Sequence, residues 1–218
     1  MKFATTPLFV ATLVASLFTA PAAFAQDAAA GKAKAAMCIG CHGIVGYQSS
    51  FPEVFRVPMI SGQTGAYIVA SLQAYKKGER KHPTMRAIAG SLTDKDMADL
   101  GAFYESHGAS AVKNVATAPQ PSPAVAALLT KGACASCHGA DYNKPIAANY
   151  PKLAGQHADY LYASLRAYGI QGNPQVGRAN AIMSGQVKAF TRAELKQMSD
   201  YLATLPGDLK VVRQSPFR

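Results

Sequence analysis

The pentapeptide Cys38-Ile39-Gly40-Cys41-His42 returns 96 residues later as Cys134-Ala135-Ser136-Cys137-His138. Pro58-Met59-Ile60-Ser61-Gly62-Gln63 returns as Pro151-Lys152-Leu153-Ala154-Gly155-Gln156, an offset of 93. At that same offset Tyr67, Ala70, Ser71, Leu72, Ala74 and Tyr75 return as Tyr160, Ala163, Ser164, Leu165, Ala167 and Tyr168. Further on, Leu92-Thr93 with Asp96, Leu100 and Phe103 matches Phe190-Thr191 with Glu194, Met198 and Tyr201, at 98. Two copies make a tandem domain pair and not a solenoid, and the drifting offset is what loops absorb.

The stretch 113–123 between the copies holds three prolines in its last five residues, which reads as a semi-rigid extended linker. The expected organisation is a first domain at 26–112, the linker at 113–123, and a second domain at 124–218 ending in a short basic tail. Halves of roughly 90 residues are small for a core built from side chains alone, so something else is expected to help fill each one.

Residues 1–25 read as an address. Lys2 is the only charge before Asp27, an apolar stretch runs over 8–18, and Ala23-Phe24-Ala25 supplies a small-x-small cleavage site. An apolar stretch of that length spans only ~16 Å as a helix, too short to cross a bilayer. A cleaved secretory signal and a periplasmic location follow, with peripheral association with the membrane left open.

The coarse pattern is helical. Residues 28–37 are rich in Ala and Lys and lead into the first cysteine motif, which predicts one helix. Tyr67, Ala70, Ser71, Ala74 and Tyr75 share a 3/4 spacing, and Lys76-Lys77-Gly78 ends that helix. Thr93 caps a third helix, with Asp96 forming a near capping box, and Thr191 with Glu194 forms a full one. No alternating strand is evident. The fold class is therefore all-α, with the second half repeating the three helices of the first.

C-x-x-C-H is the c-type haem attachment sequence. Two thiols add to the two vinyl groups, and the adjoining histidine is thereby held against the ring to ligate iron. All four cysteines of the 218 residues fall in these motifs. Thioredoxin-like redox pairs belong in a βαβ context, and this chain is helical. Zinc ribbons separate their cysteine pairs by roughly 15–20 residues, far fewer than here. Idle thiols suit an oxidising compartment poorly. Two haem c groups are expected, covalently held by Cys38, Cys41, Cys134 and Cys137, with His42 and His138 on the irons.

The repeat also sorts candidates for the opposite axial ligand. Met97 pairs with Leu195 and Met198 with Leu100, as core methionines do. Met37 falls on Ala133 and Met59 on Lys152. Met85 alone meets a methionine, Met183, at offset 98. Both are expected on loops, 80–91 and 173–189, where a ligand can reach over a ring. A methionine ligand suits electron transfer. The rival is His82, three residues before Met85, but its counterpart is Asn180, and His107 and His157 are likewise unpaired; all three read as surface residues. The second nitrogen of each haem histidine needs an acceptor, and a backbone carbonyl in the Pro58 or Pro151 segment recurs where one is required.

These features resemble the dihaem class I cytochromes c, specifically the cytochrome c4 family. The resemblance covers nearly all of the chain after residue 25. It rests on Ala30-Gly31-Lys32-Ala33-Lys34-Ala35 before Cys38, both C-x-x-C-H motifs, Pro151 to Gln156, Met85 and Met183. It implies two small helical bundles, each wrapped around one covalent haem, related by a pseudo-two-fold with the haems near their interface. It also implies a carrier of single electrons between a respiratory donor and a terminal oxidase or other acceptor. Pro58-Met59-Ile60-Ser61 and the segment 46–56 depart from the family's wording, so the first pocket is expected to differ in polarity.

The formal charge of +10 is unevenly spread, at +3 for residues 26–115 and +6 for 116–218. A basic surface suits acidic redox partners, or an anionic membrane surface. Nucleic acid is not an expected partner, because export separates the two and no binding motif is present. Two other readings stay open: a peroxidase-like dihaem enzyme with one open iron, and a cytochrome subunit docked to a dehydrogenase.

Overall fold

The computed structural model describes residues 1, 26–107, 109 and 117–213. The expected signal segment, part of the linker and the end of the basic tail lie outside the described residues.

The chain begins with α1 (Ala28–Lys34) and α2 (Ala36–His42), followed by the short strands β1 (Gln48–Ser49) and β2 (Phe55–Arg56). Next come α3 (Gly65–Lys77), β3 (Arg80–Lys81), α4 (Pro83–Gly90) and α5 (Asp94–Ser106). The second half has α6 (Pro123–Lys131), α7 (Cys134–His138), α8 (Ala158–Tyr168), β4 (Gly177–Arg178), α9 (Ala181–Val187) and α10 (Arg192–Thr204). The architecture is mostly helical, as the pattern predicts. The four two-residue strands are an addition to it: β1 pairs with β2 within the first half, and β3 pairs antiparallel with β4 across the two halves.

Two boundaries and one cap differ from expectation. The single helix over 28–37 is two, divided at Ala35. That residue is fully buried, and its N–H is shared between the carbonyls of Gly31 and Lys32, which tightens the turn. Packing overrides the high helix propensity of alanine there. Pro123 is not the last linker residue but the first residue of α6, behind a Ser122 cap; the missing N–H costs nothing at that position. Thr93 and Asp96 form a complete capping box, equivalent to Thr191 and Glu194.

Helix α1 lies across α5, where Gly31 meets the Asp99 backbone so closely that a Cβ would sit 2.1 Å from the Asp99 carbonyl oxygen. Met97, Leu100, Phe103 and Tyr104 bring the apolar face of α5 into the first core with Ile68 and Leu72 of α3. Leu195, Met198 and Leu202 of α10 play the same part in the second core with Leu161 of α8. Met97 and Met198 are thus core residues, as their pairing with leucines predicts.

The halves are joined by matching contacts. Gln63 accepts from the Lys152 N–H at 2.9 Å and donates to the Lys152 carbonyl at 3.1 Å. Gln156 does the same to Met59, at 3.1 and 2.9 Å. The ion pairs Arg56–Asp159 (3.0 Å) and Arg166–Glu53 (2.6 Å) also cross between the halves.

Candidate haem sites

Each C-x-x-C-H motif forms a short helix that ends in its histidine, α2 in the first half and α7 in the second. The four cysteines are free and only partly buried. Burial pushes the thiols of Cys38 and Cys134 up from their ordinary values, so both are protonated at neutral pH.

The two histidines share one geometry. His42 Nδ1 lies 2.8 Å from the Pro58 carbonyl oxygen, and His138 Nδ1 lies 3.0 Å from that of Pro151. Burial lowers the pKa of both rings, more than the carbonyl contact raises it. Each imidazole is therefore neutral near pH 7, with Nδ1–H donating to the carbonyl and Nε2 left as the metal-facing nitrogen. This is the arrangement expected of the proline segments.

Cys38, Cys41, His42 and Met85 all line a single cavity of about 610 Å³ that opens between the halves. A volume in the range of cofactor pockets, two unpaired thiols, a neutral imidazole with its tautomer fixed, and a thioether together fit a covalently held haem. His138 has the same orientation in the second half, and Met183 is half-buried on the helix equivalent to that of Met85.

Neither methionine sits on a loop. Met85 is the third residue of α4 and Met183 the third of α9. The cause lies three residues upstream. His82 Nδ1 accepts from the Met85 N–H at 3.4 Å, and Asn180 Oδ1 accepts from the Met183 N–H at 3.0 Å. His82 and Asn180 are helix N-caps of equal function, so His82 does have a counterpart. Its Nε2 lies 3.3 Å from Ser49 Oγ, and the edges of Phe51 and Phe55 enclose the ring. His82 is therefore engaged as a cap. Nor are the three histidines outside the motifs surface residues. His82, His107 and His157 are all half-buried, and His107 stacks on Phe103 with its Nδ1 2.8 Å from Ser61 Oγ.

The segment 46–56 forms the β1–β2 hairpin, and Gln48, Ser49 and Phe55 of that hairpin line the first cavity. Sequence reasoning missed the arginines of the cavity, Arg80 and Arg178. The signal was present, because the two are 98 apart, the same offset as Met85 and Met183.

The chain is similar to known proteins. The family model for cytochrome c matches residues 124–206. Cytochrome c4 of Thiocapsa roseopersicina is 32% identical over 196 residues, covering 82% of this chain and 93% of that protein. Cytochrome c4 of Pseudomonas aeruginosa is 30% identical over 206 residues, covering 91% and 98%. The thiosulfate dehydrogenase electron acceptor of Thiomonas intermedia is 29% identical over 210 residues, covering 91% and 90%. Among solved structures, reduced recombinant cytochrome c4 from Pseudomonas stutzeri superposes with a TM-score of 0.62 at 29% identity, covering 83% of this chain and all of that one.

Proposed function

This chain belongs to the cytochrome c4 family of dihaem electron-transfer proteins, and on that basis we propose how its residues carry two haems and where its electrons go. Cys38 and Cys41 anchor the first haem and Cys134 and Cys137 the second, one haem in each half. His42 with Met85, and His138 with Met183, ligate the two irons. The observation that carries this reading is the repeated contact of each histidine Nδ1 with a proline carbonyl, which leaves Nε2 available on both rings.

The haems supply a one-electron ferric–ferrous couple. The chain's own residues hold that couple in place. The Pro58 and Pro151 carbonyls orient the histidines, and the caps on α4 and α9 hold the methionines on rigid helices rather than loose loops. Small reorganisation on gaining or losing an electron is what a carrier requires.

In this reading the protein shuttles single electrons in the periplasm, between a respiratory donor and a terminal oxidase or other acceptor. Among the described residues no helix is long and apolar enough to cross a membrane. The relative named as a thiosulfate dehydrogenase electron acceptor supports a second source of electrons, a dehydrogenase. Copurification with a dehydrogenase, or reduction by one, would identify that donor.

The test of the site assignment is covalent haem content. Replacing Cys38 and Cys41 by alanine should leave one covalent haem per chain, and replacing Cys134 and Cys137 should leave the other. Two covalent haems in either variant would overturn the assignment.

A further inference from the structure

Among the described residues three buried side-chain polar atoms have no hydrogen-bond partner, and one of them is the Tyr104 hydroxyl oxygen. Tyr104 is 3% exposed and belongs to the buried face of α5. Its ring is fixed on two sides, by Phe103 at 4.9 Å between ring centres and by an edge contact with His107 at 5.8 Å. Its carbonyl is tied down as well, accepting from the Gly62 N–H at 2.8 Å. A side chain held this way cannot swing its hydroxyl out to water, and an unmatched buried donor is costly.

Tyr104 lines the cavity that contains Cys38, His42 and Met85, and Cys38 packs against the core cluster to which Tyr104 belongs. Burial, followed by the neighbouring Cys38 thiol, pushes the phenol far up, so the hydroxyl keeps its proton and stays a donor. The repeat marks this hydroxyl as peculiar to the first half. At the offset of 98 that pairs Met85 with Met183, Tyr104 falls on Leu202, which fills the second core. The nearby phenol of α10 is one position earlier, at Tyr201, and its hydroxyl donates to the exposed Pro119 carbonyl at 3.2 Å. Tyr142 comes within electrostatic reach of Cys134 from the loop after α7, but its hydroxyl is not among the three unmatched atoms.

A free thiol carries a proton of its own and is a poor acceptor for a second donor. In attachment the S–H adds across a vinyl double bond, sulfur bonding to one carbon and hydrogen to the other. The resulting thioether has no proton and can only accept. Attachment therefore creates, beside Tyr104, the acceptor that its hydroxyl lacks. We propose that the Tyr104 hydroxyl donates to the Cys38 thioether sulfur of the first haem, and that this bond raises the reduction potential of that haem alone. This rests on the two-haem reading above. The positive end of the O–H dipole stands against the edge of the macrocycle, which favours the state with one more electron. Undirected polarity acts in the opposite sense, because a more polar wall favours the charged ferric form. The sign of the effect therefore separates a directed bond from a merely polar pocket.

The experiment is an optical redox titration of the intact holoprotein, resolved into two one-electron steps, for the wild type, Tyr104→Phe, Tyr104→Leu and Met85→His. Met85→His exchanges a thioether ligand for an imidazole and should displace one step strongly downward, which identifies the step of the first haem. Tyr104→Phe keeps the ring and removes only the hydroxyl. It should lower the midpoint of that same step by roughly threefold in the reduction equilibrium constant, or about 28 mV at about 59 mV per tenfold, and leave the other step in place. Should Tyr104→Phe fail to fold, Tyr104→Leu decides, since it installs the residue that the second half has at this place; its shift should have the same direction. A midpoint that stays, that rises, or that moves in the other step overturns the proposal. Covalent haem content of the same samples separates the claims. Fewer than two haems in the wild type, or no step displaced by Met85→His, defeats the haem and ligand reading. Two haems, a step displaced by Met85→His and an unmoved Tyr104→Phe midpoint defeat only the hydroxyl.

Discussion

Gln156 grips both backbone polar atoms of Met59 across the interface, accepting from its N–H at 3.1 Å and donating to its carbonyl at 2.9 Å. Met59 directly follows Pro58, whose carbonyl orients His42. Gln63 holds Lys152, next to Pro151 and hence to the acceptor of His138. Each half therefore fixes the segment that positions the histidine of the other half's C-x-x-C-H motif. Both glutamines are buried, so truncation strands a donor and an acceptor.

Gln156→Ala should destabilise the protein by about 1–3 kcal/mol, and Gln63→Ala by a similar amount. Thermal unfolding of the holoprotein measures this. A cost within ~0.5 kcal/mol, the range of ordinary surface changes, would mean the clasp carries little of the interface.

Gly31→Ala should be more damaging than any exposed Gly→Ala change. Its Cβ would fall 2.1 Å from the Asp99 carbonyl oxygen and 2.9 Å from Phe103 Cβ, both in α5. Separating α1 from α5 should cost about 1–3 kcal/mol. Gly40→Ala is the control, because a Cβ there meets nothing within 4 Å. Equal melting temperatures for the two variants would contradict the close packing of α1 on α5.

Acid should loosen the attachment of α1. The Lys34 ammonium, followed by the Thr93 hydroxyl and N–H, holds the Asp96 carboxyl far below the usual carboxylate range. Lys95 also lowers the Asp99 carboxyl, against burial. A carboxyl with a folded value below its unfolded one stabilises the fold above its ordinary pKa of about 3.9, and that contribution is lost as pH falls through the folded value. Asp96→Asn should therefore be less stable than the wild type at pH 7, with the gap closing in acid. A gap that is constant across denaturation curves from pH 7 to pH 2 would contradict this.

Electron transfer with an acidic partner should slow as salt rises. The second half carries the larger basic excess, and exposed charges are screened beyond about 10 Å at 0.1 M ionic strength. Stopped-flow reduction or oxidation at increasing salt measures it. Rates indifferent to salt would argue against electrostatic docking.

The residues proposed to bear the haems stand out in the sequence because covalent attachment demands one spacing of cysteines beside one histidine. The repeat did the rest, pairing Met85 with Met183 and setting the other methionines aside. What escaped depends on contacts that the linear pattern cannot display. Pro83 reads as a helix breaker, yet it begins the helix that carries Met85. His82 and Asn180 differ in type, so the repeat hid that both cap the helices that carry Met85 and Met183. The tyrosines and serines of α3 and α8 read as an amphipathic face, and only the pairing of β3 with β4 shows that they cradle two arginines 98 residues apart. Gln63 and Gln156 were visible as a repeat, but their exchange across the interface needs both halves in place.

Axial ligation by Met85 and Met183 is tested most directly by the near-infrared spectrum of the oxidised protein, read against its haem content. Two covalent haems per chain and a methionine–iron charge-transfer band are expected. Met85→Ala and Met183→Ala should each remove about half of that band while leaving both haems attached. A wild-type protein without the band, or a Met85→Ala variant that keeps it at full strength, would contradict the ligand assignment.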